Sequence, residues 1–323
     1  MRTTTLGPLT GVSRITLGGG GLGGGWGATT AEEAVATVRA AIDGGVTLID
    51  TAPMYRDCEA VIAAAFDGAL PAGVRVTTKC QLGRPAAGEA AGRLVASLEA
   101  SLAAMRLERA DVFFLHSNIC PDTYVYARHA ERRDAFATPW SVYVDEVVAA
   151  FERLKAAGRI GAWGITGVGV PETILGAIAH APAPDVVQAV ANLMDSAGGM
   201  KNFAEALRPR EIIAAAKARG AGVMGIRAVQ AGALTAAIDR TIKASHPEAA
   251  DHGRAASFRA LCAELGADPA VVAHRYSLGM AGVDTVVIGV KNRAELAGCL
   301  EAEGLGPLTP EETARIDGLG LRD

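Results

Sequence analysis

The sequence predicts an α/β protein of one domain, residues 1–323, folded as a closed (β/α)8 TIM barrel. Eight short runs rich in β-branched or apolar residues recur along the chain. Alanine-rich segments lie between them and show the i, i+3, i+4 apolar spacing of amphipathic helices. Glycines follow several of these segments, as expected at helix C-termini. Strand and helix alternating eight times predict a parallel sheet that closes on itself.

The predicted strands come, in chain order, at residues 14–17, 46–50, 74–79, 111–116, 161–166, 185–189, 222–226 and 285–289. Helices are predicted between them, for example at 31–43, 91–105 and 144–157. Thr30 and Glu33 have the spacing of a capping box, which places the start of the first helix at residue 31. The longest irregular connection, residues 117–139, follows the fourth strand. A loop of this length is expected to have a function, and we predict that it lies over the active site.

A second α/β architecture, the open doubly wound sheet, has one feature in its favour. Residues 18–23 match G-x-G-x-x-G after a short strand. In that fold the third glycine lies in the first turn of a helix, whereas here the glycine-rich run continues to Gly27 and the helix begins near residue 31. Eight of the ten residues 18–27 are glycine, so the match has little specificity and the barrel is preferred.

Composition disfavours several functional classes. The formal net charge is -4 with both signs interspersed, which argues against a nucleic-acid partner. The chain has no apolar run of 18 residues and no N-terminal signal pattern, so we expect a cytoplasmic protein without membrane contact. Five scattered cysteines without a C-x-x-C pair favour reduced thiols, and no histidine spacing predicts a metal site. The sequence carries no signal for an oligomeric state.

Polar side chains mark the ends of three successive predicted strands. Asp50 ends the second strand, Lys79 the third and His116 the fourth, while Tyr55 follows Asp50 by five residues. In barrels of this class the chemistry lies at the C-terminal ends of the strands. Each residue alone has an ordinary structural interpretation, as a turn former, a solvated charge or a packed ring. Their convergence on one rim predicts an active site.

The chemistry predicted for this group is proton transfer to a carbonyl oxygen. A tyrosine hydroxyl has a reference pKa of about 10, and an adjacent ammonium ion, here Lys79, lowers it by stabilising the tyrosinate. Asp50 is expected to keep the buried lysine charged, and His116 to orient the carbonyl. The chain lacks a G-x-S-x-G elbow, which argues against acyl transfer. None of these groups supplies a hydride, so a nicotinamide cofactor is predicted.

These residues resemble the aldo-keto reductase family. Residues 44–66, GGVTLIDTAPMYRDCEAVIAAAF, are similar to its signature and carry Asp50 and Tyr55, while VRVTTKC (74–80) carries Lys79 and DVFFLHSN (111–118) carries His116. The similarity extends from about residue 14 to the C-terminal end. It implies that Tyr55 is the general acid, that Lys79 and Asp50 tune it, and that His116 directs a small-molecule carbonyl substrate, an aldehyde or ketone.

The resemblance also implies a dinucleotide extended across the barrel mouth. Gly19 and Gly20 match the stretch near the nicotinamide ribose, and Gln188 matches the glutamine that holds the carboxamide. Thr166 replaces the serine of the usual Ser-Asn pair, and Ile226 replaces the aromatic residue that stacks on the nicotinamide. Further residues are assigned to the phosphates and the adenosine end: Arg227, Gly232, Leu234, Gly289, Lys291, Arg293 and Glu295. Substrate walls are expected from Trp26, Met54, Tyr55 and a long loop with Tyr124, Tyr126, Arg128 and Trp140.

The resemblance implies NADP as cofactor, with Lys291 and Arg293 pairing with its 2′-phosphate. Glu295 would repel that phosphate and keeps NAD as an alternative. Two other functions stay open: an NAD-dependent sugar or alcohol dehydrogenase acting in the oxidative direction, and a cofactor-sensing regulatory subunit. The complete set of four polar residues favours an active enzyme over a sensor.

Overall fold

The computed structural model describes residues 1–322. Eight of its strands form a closed barrel. In chain order the strands are β1 (Thr3–Leu6), β2 (Leu9–Ser13), β3 (Ile15–Gly18), β4 (Leu48–Asp50), β5 (Arg75–Cys80), β6 (Ala110–Leu115), β7 (Asn118–Cys120), β8 (Ala137–Pro139), β9 (Ile160–Thr166), β10 (Val186–Val190), β11 (Gly222–Ile226) and β12 (Thr285–Ile288). The barrel order is β3-β4-β5-β6-β9-β10-β11-β12, and parallel pairing of β12 with β3 closes it.

The α-helices are α1 (Gly19–Leu22), α2 (Ala31–Asp43), α3 (Cys58–Phe66), α4 (Ala90–Met105), α5 (Arg133–Phe136), α6 (Trp140–Val142), α7 (Val148–Ala156), α8 (Pro171–Ala179), α9 (Pro209–Ala218), α10 (Pro247–Arg254), α11 (Ala256–Glu264), α12 (Pro269–Gly279), α13 (Arg293–Leu305) and α14 (Pro310–Asp317). One π-helical turn, Tyr143–Val147, joins α6 to α7. Within residues 1–322, no helix combines the length and the apolar character needed to cross a membrane.

The predicted strands and helices are close to the observed ones. The strand at 222–226 and the helix at 31–43 have the predicted bounds, and the other barrel strands differ by one or two residues at either end. Thr30 caps α2, because its side chain accepts a hydrogen bond from the Glu33 amide. The glycine run after β3 contains only the short α1, so the first long helix starts where the capping pattern predicts.

The sequence did not predict the hairpin of β1 and β2. This antiparallel pair closes the N-terminal end of the barrel, where Leu6, Leu9 and Val12 pack against side chains from inside it. Phe114 of β6 is the largest of those interior groups, and a Cβ on Gly164 of β9 would lie 2.4 Å from its ring. A glycine at position 164 therefore makes room for the phenylalanine.

Candidate active site

The four predicted catalytic side chains meet at the C-terminal end of three neighbouring strands. Asp50 is the last residue of β4, Lys79 lies near the end of β5, and His116 directly follows β6. Tyr55 ends a 3-10 turn that starts with Pro53, and its amide donates to the Ala52 carbonyl. The turn brings the phenol back over the barrel mouth.

The separations among these groups are those of direct contact. Lys79 Nζ lies 2.7 Å from Asp50 Oδ2, 2.9 Å from the Thr51 carbonyl oxygen and 3.2 Å from the Tyr55 hydroxyl. The rings of Tyr55 and His116 meet edge to face, with centroids 5.7 Å apart. The structure therefore brings together all four residues that the sequence predicts.

The charge on Lys79 is maintained by its neighbour. Burial, the largest single influence, lowers the pKa of Lys79, but the Asp50 carboxylate and the Tyr55 hydroxyl together outweigh burial, and the pKa is raised above its ordinary value. Lys79 is fully buried, so without Asp50 its charge would be costly. The ion pair keeps an ammonium group next to the tyrosine.

The pKa of Tyr55 departs from the sequence-based expectation. Burial raises the pKa of the phenol, and the Lys79 charge acts in the predicted direction without reversing that rise. The expectation of a net lowering was therefore wrong for this cavity, because desolvation of the phenolate exceeds the stabilisation by the ammonium. Tyr55 is protonated across the neutral range and holds a proton that it can donate.

His116 is a neutral ring in this setting. Burial, with a further contribution from the Lys79 charge, lowers its pKa to about 3. Its Nδ1 is buried and has no hydrogen-bond partner within the described residues. A neutral imidazole carries one N–H and can donate one hydrogen bond to a carbonyl oxygen.

Asp50 has two further partners that the sequence did not predict. Thr77 Oγ1 donates to Asp50 Oδ1 at 2.6 Å, and Gln188 Nε2 donates to the same oxygen at 2.7 Å. Thr77 lies opposite Asp50 in the pairing of β4 with β5. The spacing Thr77-x-Lys79 puts both side chains on the inner face of the strand, and this alternation was the signal available in the sequence.

A cavity of about 380 Å³ opens beside this cluster. It runs from Tyr55 and His116 towards the ends of β11 and β12, and its lining is mostly apolar with glycines along one wall. Most of the predicted cofactor-binding residues line it: Gly19, Gly20, Thr166, Gln188, Ile226, Arg227, Gly232, Gly289, Lys291 and Glu295. The Thr166 hydroxyl is buried without a hydrogen-bond partner among residues 1–322.

Two predicted cofactor-binding side chains do not line the cavity. Leu234 is fully buried in the hydrophobic core, because its position directly after a tight turn directs the side chain inward. Arg293 lies at the start of α13, where it pairs with Glu33 at 2.9 Å and is largely exposed. For Leu234 the resemblance concerns the backbone near the pyrophosphate, which a buried side chain does not contradict, and both assignments stay predictions.

The loop of residues 117–139 does not line the cavity either. Its ends pair as β7 and β8, Tyr126 is buried with its hydroxyl 2.8 Å from Asn118 Oδ1, and Tyr124 donates to Glu205. Trp140 packs on Tyr143 and His180 instead of the cavity. Arg128 and Met54 do not line the cavity either, whereas Trp26 and Tyr55 do, and the substrate walls assigned to the other residues stay a prediction.

The connection after β11 supplies the wall that the sequence did not assign. Thr235, Asp239 and Arg240 line the cavity. The Arg240 guanidinium lies 5.5 Å from the centre of the Trp26 ring, so the connections that follow β11 and β3 meet there. This long irregular connection has no periodic pattern, which is why this wall was missed.

Carboxylates surround the cations at the far end of the cavity. Lys291 Nζ contacts Asp239 Oδ2 at 2.5 Å and also pairs with Glu295. The Glu295 carboxylate accepts the Lys291 amide as well, at 2.9 Å. Both charges expected to meet a 2′-phosphate, Lys291 and Arg293, are therefore already paired.

Arg227 is likewise paired. Its Nη2 lies 2.5 Å from Glu248 Oε1 and its Nε donates to Gln230. Burial lowers the pKa of Arg227, with Glu248 opposing the effect. The guanidinium joins the β11 connection to α10 while one side borders the cavity.

Comparisons with known proteins agree with this geometry. The profile of the Aldo/keto reductase family matches residues 14–320. A glycerol dehydrogenase from Gluconobacter oxydans is similar in structure, with 22% identity, a TM-score of 0.71 and coverage of 98% of this chain and 94% of that one. An aldo-keto reductase from Bacillus halodurans in its holo form has 20% identity, a TM-score of 0.72 and coverage of 99% and 96%. A search among curated proteins finds no significant match. On the family profile, the chain belongs to the aldo/keto reductase family.

Proposed function

We propose that this protein is an NAD(P)H-dependent oxidoreductase that reduces aldehydes or ketones to alcohols, with Tyr55 as the general acid. The observation that carries the proposal is the contact of the Tyr55 hydroxyl with Lys79 Nζ, 3.2 Å, beside an open cavity. Family membership supports the reaction class. A lone buried tyrosine would need no charged partner, whereas a proton donor does.

The cavity residues fit a nicotinamide dinucleotide. Gln188 and the unpartnered Thr166 hydroxyl offer hydrogen bonds at the end near Tyr55, Ile226 gives an apolar floor, and Gly19 and Gly20 keep the wall free of side chains. Gly232, Gly289 and Lys291 continue the lining towards the other end. A bound reduced nicotinamide supplies the hydride.

The side chains of this protein perform the proton chemistry. The neutral His116 donates its N–H to the carbonyl oxygen and orients it. Tyr55 gives its proton to the same oxygen as negative charge develops there, and the Lys79 ammonium stabilises the tyrosinate that forms. Asp50 keeps Lys79 charged throughout.

We propose NADH as the preferred cofactor, in place of the NADP that the resemblance implies. A 2′-phosphate would meet Glu295 and Asp239 and would compete with their ion pairs to Lys291. A ribose 2′-hydroxyl, in contrast, can donate to a carboxylate. The ion pairs at Lys291 favour NAD over NADP, and the second function, oxidation of an alcohol, uses NAD. The same side chains serve both directions of the reaction.

The test is reduction of a panel of small aldehydes and ketones with NADH and with NADPH. Tyr55→Phe should lower kcat by at least about 100-fold, since a general acid contributes roughly 10²–10⁴-fold. Cofactor binding, measured by quenching of protein fluorescence, should stay unchanged. Tyr143→Phe is the matched control, because Tyr143 is buried outside the cavity. Equal turnover by the two variants would remove Tyr55 from this role.

A further inference from the structure

Three barrel strands converge on the carboxylate of Asp50. Asp50 ends β4, Thr77 faces it from β5, and Gln188 reaches it from β10. Oδ1 accepts hydrogen bonds from Thr77 and Gln188, at 2.6 and 2.7 Å, while Oδ2 accepts from Lys79 at 2.7 Å. The two carboxylate oxygens thus have separate partners, and Lys79 is the partner of Oδ2 alone.

Because these side chains are buried, the loss of any one donor to the Asp50 carboxylate is costly. Thr77 and Lys79 are fully buried, and Asp50 and Gln188 nearly so. Thr77 lies away from the cavity, so its hydroxyl is not readily replaced by water, and an unpaired buried carboxylate oxygen is costly. A carboxylate that loses a donor on one oxygen lowers its energy by rotating towards another one.

We propose that Thr77 and Gln188 are positioning residues, which hold the Asp50 carboxylate in the orientation that forms the ion pair with the Lys79 ammonium. The inference rests on the proposed role of Lys79 beside Tyr55, and it assigns to Gln188 a contact with the catalytic carboxylate in addition to the cavity that it lines. Thr77 does not line the cavity. It therefore allows a test that leaves the binding surface intact.

The expected effect follows from the groups that face Lys79, which are Asp50, Tyr55, His116 and Cys58. Burial lowers the pKa of Lys79, and Asp50 is the largest influence that raises it. If Asp50 turns away, its charge raises the pKa of Lys79 less, the lowering by burial is no longer offset, and the pKa falls. A charge-assisted hydrogen bond of ordinary strength predicts a fall of about one pH unit.

The experiment compares Thr77→Val, Thr77→Ser and Thr78→Val. Valine is nearly isosteric with threonine and suits a strand, and serine keeps the hydroxyl. Thr78 is the matched control, because it is buried on the same strand but donates to Glu59 instead of Asp50. Lysine Cε-labelled protein without cofactor is titrated by NMR, with Lys79→Met to assign the Lys79 signal, and kcat and KM are measured in parallel.

We expect Thr77→Val to lower the pKa of Lys79 by about one unit and to move the alkaline limit of the kcat–pH profile down by the same amount, with KM and cofactor affinity at pH 7 unchanged. Thr77→Ser should restore both, and Thr78→Val should change neither. Gln188→Met, which removes the other donor, should lower the pKa of Lys79 as well and serves if Thr77→Val does not fold. A Lys79 titration in Thr77→Val and Gln188→Met that coincides with that of Thr78→Val would overturn the inference. Absence of reductase activity in the unaltered protein would instead reject the proposed function, while the titration still decides the positioning.

Discussion

At Tyr55 and His116, burial determines the protonation state in which each side chain works. It raises the pKa of the phenol and lowers that of the imidazole to about 3, so both groups are neutral near pH 7. Among residues 1–322, the charge that contacts the phenol is that of Lys79, which is paired with Asp50. An acid beside a neutral hydrogen-bond donor is the state that carbonyl reduction requires.

The lowered pKa of His116 predicts a loss of stability in acid. The unfolded protein binds a proton at this ring with a pKa near 6.5 and the folded protein only at about 3. Stability from this group is therefore complete above about pH 6.5 and is lost as the pH falls towards 3. Between pH 7 and 4.5 the loss should be roughly 2.5 kcal/mol.

Urea unfolding at the two pH values checks this prediction. His116→Phe removes the titrating group, so its free energy of unfolding should fall about 2.5 kcal/mol less than that of the unaltered protein over the same interval. Parallel pH dependence in both proteins would show that His116 accepts a proton in the folded state as easily as in the unfolded one.

The sequence predicts some site residues better than others. Asp50, Lys79 and His116 were predictable because a polar residue that ends an apolar strand is conspicuous. Thr77 was not, because its alternation with Lys79 indicates only the inner face of the strand and a threonine there is also explained by strand propensity. Its hydrogen bond to Asp50 depends on the pairing register of β4 with β5, which no single segment encodes.

At the scale of elements, the start of α13 and the connection after β11 form one end of the cavity. Asn292 caps α13 by accepting the Glu295 amide, and this fixes Glu295 in the first turn. From there its carboxylate reaches back to Lys291. Helix bounds were predictable from capping residues, whereas the position of Asp239 was not, because the irregular connection that carries it has no periodic pattern.

This arrangement predicts that Glu295→Gln shifts cofactor preference towards NADPH. Removing one negative charge near the expected 2′-phosphate should improve NADPH affinity relative to NADH about fivefold, or roughly 1 kcal/mol. Dissociation constants from fluorescence quenching give the ratio. Glu301→Gln, an exposed position on the same helix, is the control, and an equal ratio in both variants would contradict the role of Glu295.

At the scale of the whole molecule, the two ends of the barrel differ in structure, and the candidate active site lies at one of them. The β1–β2 hairpin seals the N-terminal end with Leu6, Leu9 and Val12, while the catalytic side chains and the cavity lie at the other end. Barrel topology was predictable from the strand and helix alternation. The hairpin was not, because its two short strands precede that alternation.

Leu6→Ala should therefore lower stability without changing catalysis. Leu6 is fully buried beneath the barrel, and loss of a buried leucine side chain costs about 2–5 kcal/mol. Chemical denaturation gives the free energy of unfolding, and kcat of the folded variant should match the unaltered protein. Leu305→Ala, at a position 57% exposed, should change stability by less than about 0.5 kcal/mol. A large loss of kcat in folded Leu6→Ala would show that the two ends are coupled.

The contact of Arg240 with Trp26 joins connections that follow β11 and β3, strands separated in the barrel by β12 alone. The proton-transfer residues come from β4 to β6 and their connections, on the other side of β3. Under the proposed function, the residues for proton transfer and those next to the expected 2′-phosphate therefore belong to separate stretches of the chain. An engineer can exchange residues 227–246 for those of a relative to alter nucleotide selectivity, and the acid and its lysine keep every partner that they have now.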